Sequence, residues 1–311
     1  MTTSTSAPLM GFREWALLLI LSLLWGCSFF YFKVLVAELP PFTIVFGRVA
    51  IAALVLISWL AARRQALPAT AGLWASFAIM GLLNNVVPFT LIVWGETRVS
   101  SGLASILNAT TPVFAVLAAQ VFTRNEKLNW HKAVGVLCGF LGVVLLIAPS
   151  PLELDHGREI PGELACMAAA MIYALAGIYG RRFKNVPALQ VAAGQLSASS
   201  LMLIPIVLLV DRPWTLSPPS AHAWAAWFAL AVLSTAIAYV IYFRILAVAG
   251  ATNVLLVTFL VPISAIVLGV LFLHEAFSMR SLEGMALIGV GLAAIDGRVL
   301  RAVFPRNPST S

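Results

Sequence analysis

The chain has 311 residues, of which 61% are hydrophobic and only 10% charged, and its mean hydropathy is +0.99. A soluble domain is about 45–50% apolar and about 25% charged, so this composition excludes a soluble enzyme, a nucleic-acid-binding domain and a disordered chain, and it requires a bilayer. The net charge of +7 rests on 19 Lys and Arg scattered thinly between apolar runs, without a basic stripe, so they read as topology signals and no nucleic-acid partner is expected.

A short polar tail, residues 1–12, leads into the first apolar run without a small-residue cleavage site, so no cleaved signal peptide is expected. Apolar runs long enough to cross a bilayer follow in order: Trp15 to Phe32, Phe42 to Ala62, Leu73 to Trp94, Leu103 to Phe122, Lys132 to Ala148, Pro161 to Gly180, Ala188 to Val210, Ala223 to Phe243, Thr252 to Leu273 and Ser281 to Ile295. Lipid offers no partner to a backbone amide, and the runs are too long for barrel strands, so each must be a helix. The expected fold is an all-α integral membrane protein of ten transmembrane helices. With the N-terminus in the cytoplasm, thirteen Lys and Arg fall inside and five outside, which places both termini in the cytoplasm.

The two halves of the chain repeat. Trp74 and Trp224, Asn85 and Thr235, Phe89 and Tyr239, Asn108 and Thr258, and Pro112 and Pro262 are each 150 residues apart; Glu126 and Glu275, Asn129 and Ser278, Gly135 and Gly284, and Gly142 and Gly291 are 149 apart; and Gly47-Arg48-Val49 matches Gly194-Gln195-Leu196 at 147. The expected division is a first five-helix unit at 13–148, a periplasmic linker at 149–160, a second unit at 161–299 and a cytoplasmic tail at 300–311. Five is odd, so the two units have inverted topology. Inverted repeats are a known architecture of secondary transporters, with the substrate held between the repeats near the midplane.

Trp25-Gly26-Cys27-Ser28-Phe29 followed by Lys33, the Pro40-Pro41 pair, Arg48, Thr111-Pro112, and the loops Asn125-Glu126-Lys127-Leu128 and His274-Glu275-Ala276-Phe277 resemble EamA-type members of the drug/metabolite transporter superfamily. The resemblance covers residues 13 to 299 and implies ten helices in two inverted five-helix halves. Within the family the chain looks most like bacterial amino-acid exporters of the YddG type, which implies the inner membrane and a small-molecule substrate.

Polar and aromatic residues sharing a helical face in both halves are candidates for the substrate site. Asn84 and Asn85 lie on one face of the third span with Gly81 and Pro88, and Thr235, Tyr239 and Tyr242 on the corresponding face of the eighth. Asn108, Thr111 and Thr258 lie near the paired prolines, Trp25 and Ser28 in the first span, Trp94 at the end of the third, and Tyr173 and Tyr179 in the sixth. Together they suit a cavity for a molecule with an apolar side chain and polar ends; the competing reading is that they bond and pack neighbouring helices.

Arg48 has two readings. It is about 9 Å along its helix from Phe42, so its stem could snorkel to the outer interface, or its charge could attract a substrate carboxylate. The glycines Gly135, Gly139 and Gly142, with Gly284 and Gly291, read as helix-packing stripes. Asn129 and Ser278 read as helix N-caps.

None of the twelve acids lies near the middle of a span, so facilitated uniport by alternating access is expected; the alternative is a proton-coupled multidrug or cationic-metabolite exporter, with Glu14, Glu283 or Asp296 carrying the proton. The four His fall at span ends or loops and no catalytic motif is present, so an enzyme is not expected. Cys27, Cys138 and Cys166 have no metal or redox spacing. No cofactor or metal is expected, and the carrier is expected to work as a monomer.

Overall fold

A computed structural model describes residues 11–122, 130–147, 159–249, 254, 256–276 and 278–296. Among these residues every regular element is helical. In chain order they are α1 (Phe12–Leu35), α2 (Pro41–Ala62), α3 (Ala71–Glu96), α4 (Ser101–Phe122), α5 (Trp130–Ile147), α6 (Ile160–Phe183), α7 (Ala188–Asp211), α8 (Ala221–Ala231 continuing through Val232–Ile237 into Ala238–Ala249), α9 (Val257–Leu273) and α10 (Met279–Asp296). Seven of them, α1 to α4 and α6 to α8, are long and apolar enough to cross a membrane; α9 and residues Ala133–Leu146 of α5 are shorter apolar helices. The chain is a multi-pass membrane protein.

Local chemistry sets the ends of these helices. Pro41 occupies the first turn of α2, where a missing N–H costs nothing. Ser100 and Ser220 cap α4 and α8 by accepting from the Leu103 and Ala223 amides. Ser278 caps α10, accepting from the Ser281 amide at 3.0 Å. Its partner by sequence, Asn129, lies outside the described residues, as do Glu126 and the linker up to residue 158.

The helices are less regular than unbroken apolar runs suggest. Helix α3 widens into a π-turn at Leu82–Val86, α8 at Val232–Ile237 and α7 at Val207–Asp211. The first is followed by Pro88, which has no N–H for the carbonyl of Asn84. In the second, the Thr235 hydroxyl bonds the Leu230 carbonyl five residues back at 2.9 Å. Helix α4 breaks at Ala109 and Thr110, just before Pro112. Helix α8 also runs past the expected end at Phe243, to Ala249.

Packing follows the repeat. Helix α1 lies against α9 and α8, and its counterpart α6 lies against α4 and α3; α2 pairs with α7, and α5 with α10. Close approach at glycine makes these contacts. On α2, Gly47 leaves room for the Trp227 indole, whose Nε1 donates to the Ile44 carbonyl at 2.9 Å. On α7, the equivalent Gly194 leaves room for the ring of Phe77, and Phe77 and Trp227 are themselves 150 residues apart. The glycine stripes of α5 and α10 face each other, Gly135 against Gly291 and Gly142 against Gly284, so helix packing accounts for them. Even the helix ends match: Arg64 after α2 and Arg212 after α7 both adopt left-handed backbone, at φ 55° and 49°.

Candidate functional site

A buried polar network joins the two halves where α2, α3, α7 and α8 meet. Asn84 donates from Nδ2 to Gln195 Oε1 and to the Tyr239 hydroxyl, both at 3.2 Å. Asn85 donates to Ser199 Oγ at 3.0 Å and accepts from the Tyr239 hydroxyl at 3.3 Å. Ser199 in turn donates to the Gln195 carbonyl. The two π-turns carry Asn84 and Asn85 on one side and Ser234 and Thr235 on the other, so both irregular segments contribute to one region. Such turns concentrate at functional sites because they re-aim side chains within a helix.

Arg48 is the charge of this region. It is only 5% exposed. Its Nε donates to Thr235 Oγ1 at 2.9 Å, and its guanidinium lies over the rings of Phe89 and Phe32 with centroids 3.8 and 5.0 Å away. Tyr173 of α6 and Tyr239 of α8 lie nearby. The snorkelling reading is therefore overturned: the side chain points into the bundle, because the face of α2 that bears it packs against α3 and α8. Cation–π contact and one hydrogen bond replace part of the lost hydration. Among the described residues no carboxylate pairs with it, so the guanidinium retains capacity for an anionic group.

Aromatic walls adjoin the network. Trp25 of α1 and Tyr242 of α8 have ring centroids 5.6 Å apart, Tyr242 meets Phe243 at 5.1 Å, and Phe89 meets Tyr173 at 6.4 Å. Among the described residues, Ser28 Oγ and Asn108 Oδ1 are buried without a hydrogen-bond partner. Those are two of the residues singled out by sequence.

Other expected residues stand apart. Trp94 is stacked under Arg98 at 3.8 Å at the end of α3. Tyr179 packs on Phe183, beside Phe77, and accepts from Arg182 Nη1 at 3.0 Å. The Thr111 hydroxyl is taken by the Asn108 carbonyl at 2.7 Å, within the break of α4. Thr258 lies half-buried in the first turn of α9. Sequence reasoning left out Gln195, Ser199, Phe32 and Phe89. The repeat pairing of Gln195 with Arg48, and of Phe89 with Tyr239, already contained the signal for two of them.

One end of the bundle is fastened by carboxylates that cross between the halves. Glu38 accepts from the Ser220 amide at 2.7 Å and its hydroxyl at 2.6 Å; Asp211 accepts from the Thr43 amide and hydroxyl at 2.6 and 2.8 Å; Glu275 accepts from the Ser101 amide and hydroxyl at 2.8 Å each and from the Gly102 amide at 3.3 Å. Each carboxylate meets the N-terminus of a helix in the other half, where unpaired amides and the helix dipole favour negative charge. The two Ser220 bonds, with help from His222, hold the exposed Glu38 carboxyl below its usual range. At the opposite end Gln190 Nε2 donates to the Ala66 carbonyl at 3.1 Å, a neutral and exposed contact.

Comparison with known proteins agrees with the doubled architecture. The chain is similar to the protein named "Uncharacterized transporter YoaV" of Bacillus subtilis, 28% identical over 87% of this chain and 92% of that one. It is also similar to the "Uncharacterized inner membrane transporter YedA" of Escherichia coli K12, 25% identical over 94% of this chain and 92% of that one, and to the "WAT1-related protein At3g02690, chloroplastic" of Arabidopsis thaliana, 26% identical over 92% of this chain and 70% of that one. A crystal structure of another protein superposes with a TM-score of 0.67 at 24% identity, covering 94% of this chain and 98% of that one, which shows a shared fold. Residues 13–148 and 160–295 each match the EamA-like transporter family, so the chain is built of two EamA-like repeats and belongs to that family of membrane transporters.

Proposed function

We propose that the protein exports small metabolites, most specifically amino acids with large apolar or aromatic side chains, across a bacterial inner membrane by alternating access. In this reading ten helices span the bilayer as two inverted five-helix repeats with both termini in the cytoplasm, and one chain is a complete carrier. The end fastened by Glu38, Asp211 and Glu275 is then extracytoplasmic, and the described conformation is closed on that side.

The observation that carries the substrate class is Arg48, a buried guanidinium between aromatic rings at the junction of the repeats. A single cation there matches a single carboxylate; a sugar phosphate would demand more. The amides of Asn84 and Asn85, with Ser28 Oγ and Asn108 Oδ1, are suited to a substrate ammonium, and Trp25, Tyr173, Tyr239 and Tyr242 to an apolar side chain. Thr111, Trp94, Tyr179 and Thr258 belong to the proposal only as secondary contacts that form when the bundle opens.

Transport is by uniport, down the solute's own gradient. No group among the described residues pairs a mid-span carboxylate with the Arg48 network, so the site itself offers no carrier for a coupled proton. The test is uptake of labelled phenylalanine and leucine into proteoliposomes with and without a pH gradient at clamped membrane potential. Saturable flux is expected that never carries the amino acid above its external concentration in either condition. Accumulation driven by the pH gradient refutes uniport, and absence of flux for every amino acid refutes the substrate class.

A further inference from the structure

Two carboxylates at the end of the bundle were unremarkable in sequence because they sit at span ends. Glu96, the last residue of α3, and Glu163, in the first turn of α6, are both 0% exposed. The backbones of α3 and α6 touch there, Gly95 against Gly162 and Cys166. Among the described residues, both Glu96 carboxylate oxygens are buried without a hydrogen-bond partner. An ionised carboxylate in that position forfeits its hydration and regains only part of it from the nearby Lys33 charge, whereas the neutral acid forfeits far less.

The surroundings include both cations and acids. From α1, Lys33 reaches this end, but its Nζ donates to the backbone carbonyls of Glu96 and Val99 at 2.7 and 2.8 Å. From the connection between α9 and α10, the docked Glu275 carboxylate lies near enough to repel a charge on Glu96. From α6, Glu163 and the buried thiol of Cys166 face the same space. In the turn after α3, Arg98 is exposed and stacked on Trp94. The ionisable group of α2, Arg48, lies deeper, against Phe89.

We propose that Glu96 is the proton-binding site of the outer gate: its carboxyl holds a proton while Glu275 is docked on the N-terminus of α4, and releases it to extracytoplasmic water when that contact opens. This rests on the orientation given under Proposed function. Docking brings a fixed negative charge beside Glu96 and excludes water, so closure and protonation favour each other, and by linkage each strengthens the other equally. Raising the external pH therefore favours the open gate. Because the proton enters and leaves on one side, it gates transport without being carried across, and uniport is preserved. Glu14 and Glu283, the acids singled out by sequence, lie half-exposed and exposed; the side chain of Asp296 lies outside the described residues.

Infrared difference spectroscopy of the protein in lipid nanodiscs, without substrate, tests the proton directly. At neutral pH, wild type minus Glu96→Gln should show one protonated-carboxyl C=O band that shifts in heavy water and is lost from wild type as the pH is raised. No such band in either the difference or the wild-type titration overturns the proposal, and the titration stands even if Glu96→Gln folds poorly. Opening is read with Cys166 as the reporter in a Cys27→Ala, Cys138→Ala background, using an impermeant maleimide. Thiol reactivity rises with pH in any background, so the quantity is the ratio of that rise with and without Glu96. A several-fold greater rise with Glu96 present is expected, and equal rises overturn the gate. Neither readout uses amino-acid flux, so the substrate assignment fails or stands separately.

Discussion

The second helices of the two repeats, α2 and α7, share a scaffold and differ in chemistry. Both offer a glycine to an aromatic ring from the other half, Gly47 to Trp227 and Gly194 to Phe77, both run beside a π-turn, and both end on a left-handed arginine. One position beyond the glycine the likeness stops, with Arg48 in α2 and Gln195 in α7. Under the proposed alternating access, equivalent scaffolds would let the two halves exchange conformations with little change in packing. A charge on one side only gives the bound molecule a fixed direction. In the proposed mechanism the shared features serve the movement, and the unshared one the ligand.

Making the two helices alike should have the largest effect. Arg48→Gln removes a charge-assisted interaction worth about 1.5–3 kcal/mol, or about 10–100-fold in affinity. The loss should appear for a labelled amino acid in proteoliposomes and be absent for the corresponding decarboxylated amine. Equal losses for both would mean that Arg48 is structural.

Breaking the shared scaffold should act on stability in both halves. A methyl at Gly47 would enter the indole of Trp227, which is fixed by its bond to the Ile44 carbonyl, and a methyl at Gly194 would meet Phe77 at 2.5 Å. Overpacking costs about 1–3 kcal/mol. Gly47→Ala should lower the unfolding midpoint more than Gly194→Ala, because the Trp227 indole is held by its hydrogen bond while the Phe77 ring has no polar atom to anchor it. Thermal unfolding in detergent measures both.

Removing the partner of Arg48 sharpens the comparison further. Thr235→Val deletes the 2.9 Å bond to Arg48 Nε and the bond to the Leu230 carbonyl. A hydrogen bond to a charged group contributes about 1.5–3 kcal/mol, but Arg48 keeps its charge and its contacts with Phe32 and Phe89, so flux should fall several-fold, less than with Arg48→Gln. The double variant should be no worse than Arg48→Gln alone, since Thr235 acts through Arg48. Additive losses would separate the two residues.

The sequence carried the helices and the duplication plainly, because a bilayer forces long apolar runs into helices and spaced Pro, Gly and cap residues survive in register. It also pointed to Asn84, Asn85, Thr235 and Tyr239 through their shared faces. The two readings of Arg48 stayed open because distance along an axis says nothing about which face of α2 is covered. Ser199 was hidden in Ala198-Ser199-Ser200, where any serine reads as a packing residue, and its role arises from the approach of Asn85 in a π-turn. Glu96 was passed over for a similar reason: the end of a hydropathy run marks depth, while burial there depends on α6 and the loop after α9. Trp94 and Tyr179, chosen as aromatics in polar-faced spans, have partners next to them in sequence, Arg98 and Arg182, one turn away.

The smallest effect is expected at the fastened end. Glu38 is exposed, and its carboxyl is held below the usual range by the Ser220 hydroxyl and amide, with His222 assisting. A carboxylate lowered in the folded state stabilises above its unfolded value, about 4.3 for Glu, and that contribution disappears as pH falls through the folded value. At neutral pH the contact with α8 is therefore fully formed, and acid should loosen it. Glu38→Gln cannot reproduce two acceptor contacts to one serine with charge, so the variant should start slightly less stable at pH 7 and lose less than wild type on acidification. Because the pair is solvent-exposed, salt should also shrink the difference. Unfolding midpoints of both proteins at pH 7 and at pH 4, in low and high salt, make the check. Parallel curves at every pH would show that Glu38 contributes nothing to closing this end, leaving Asp211 and Glu275 to join the halves there.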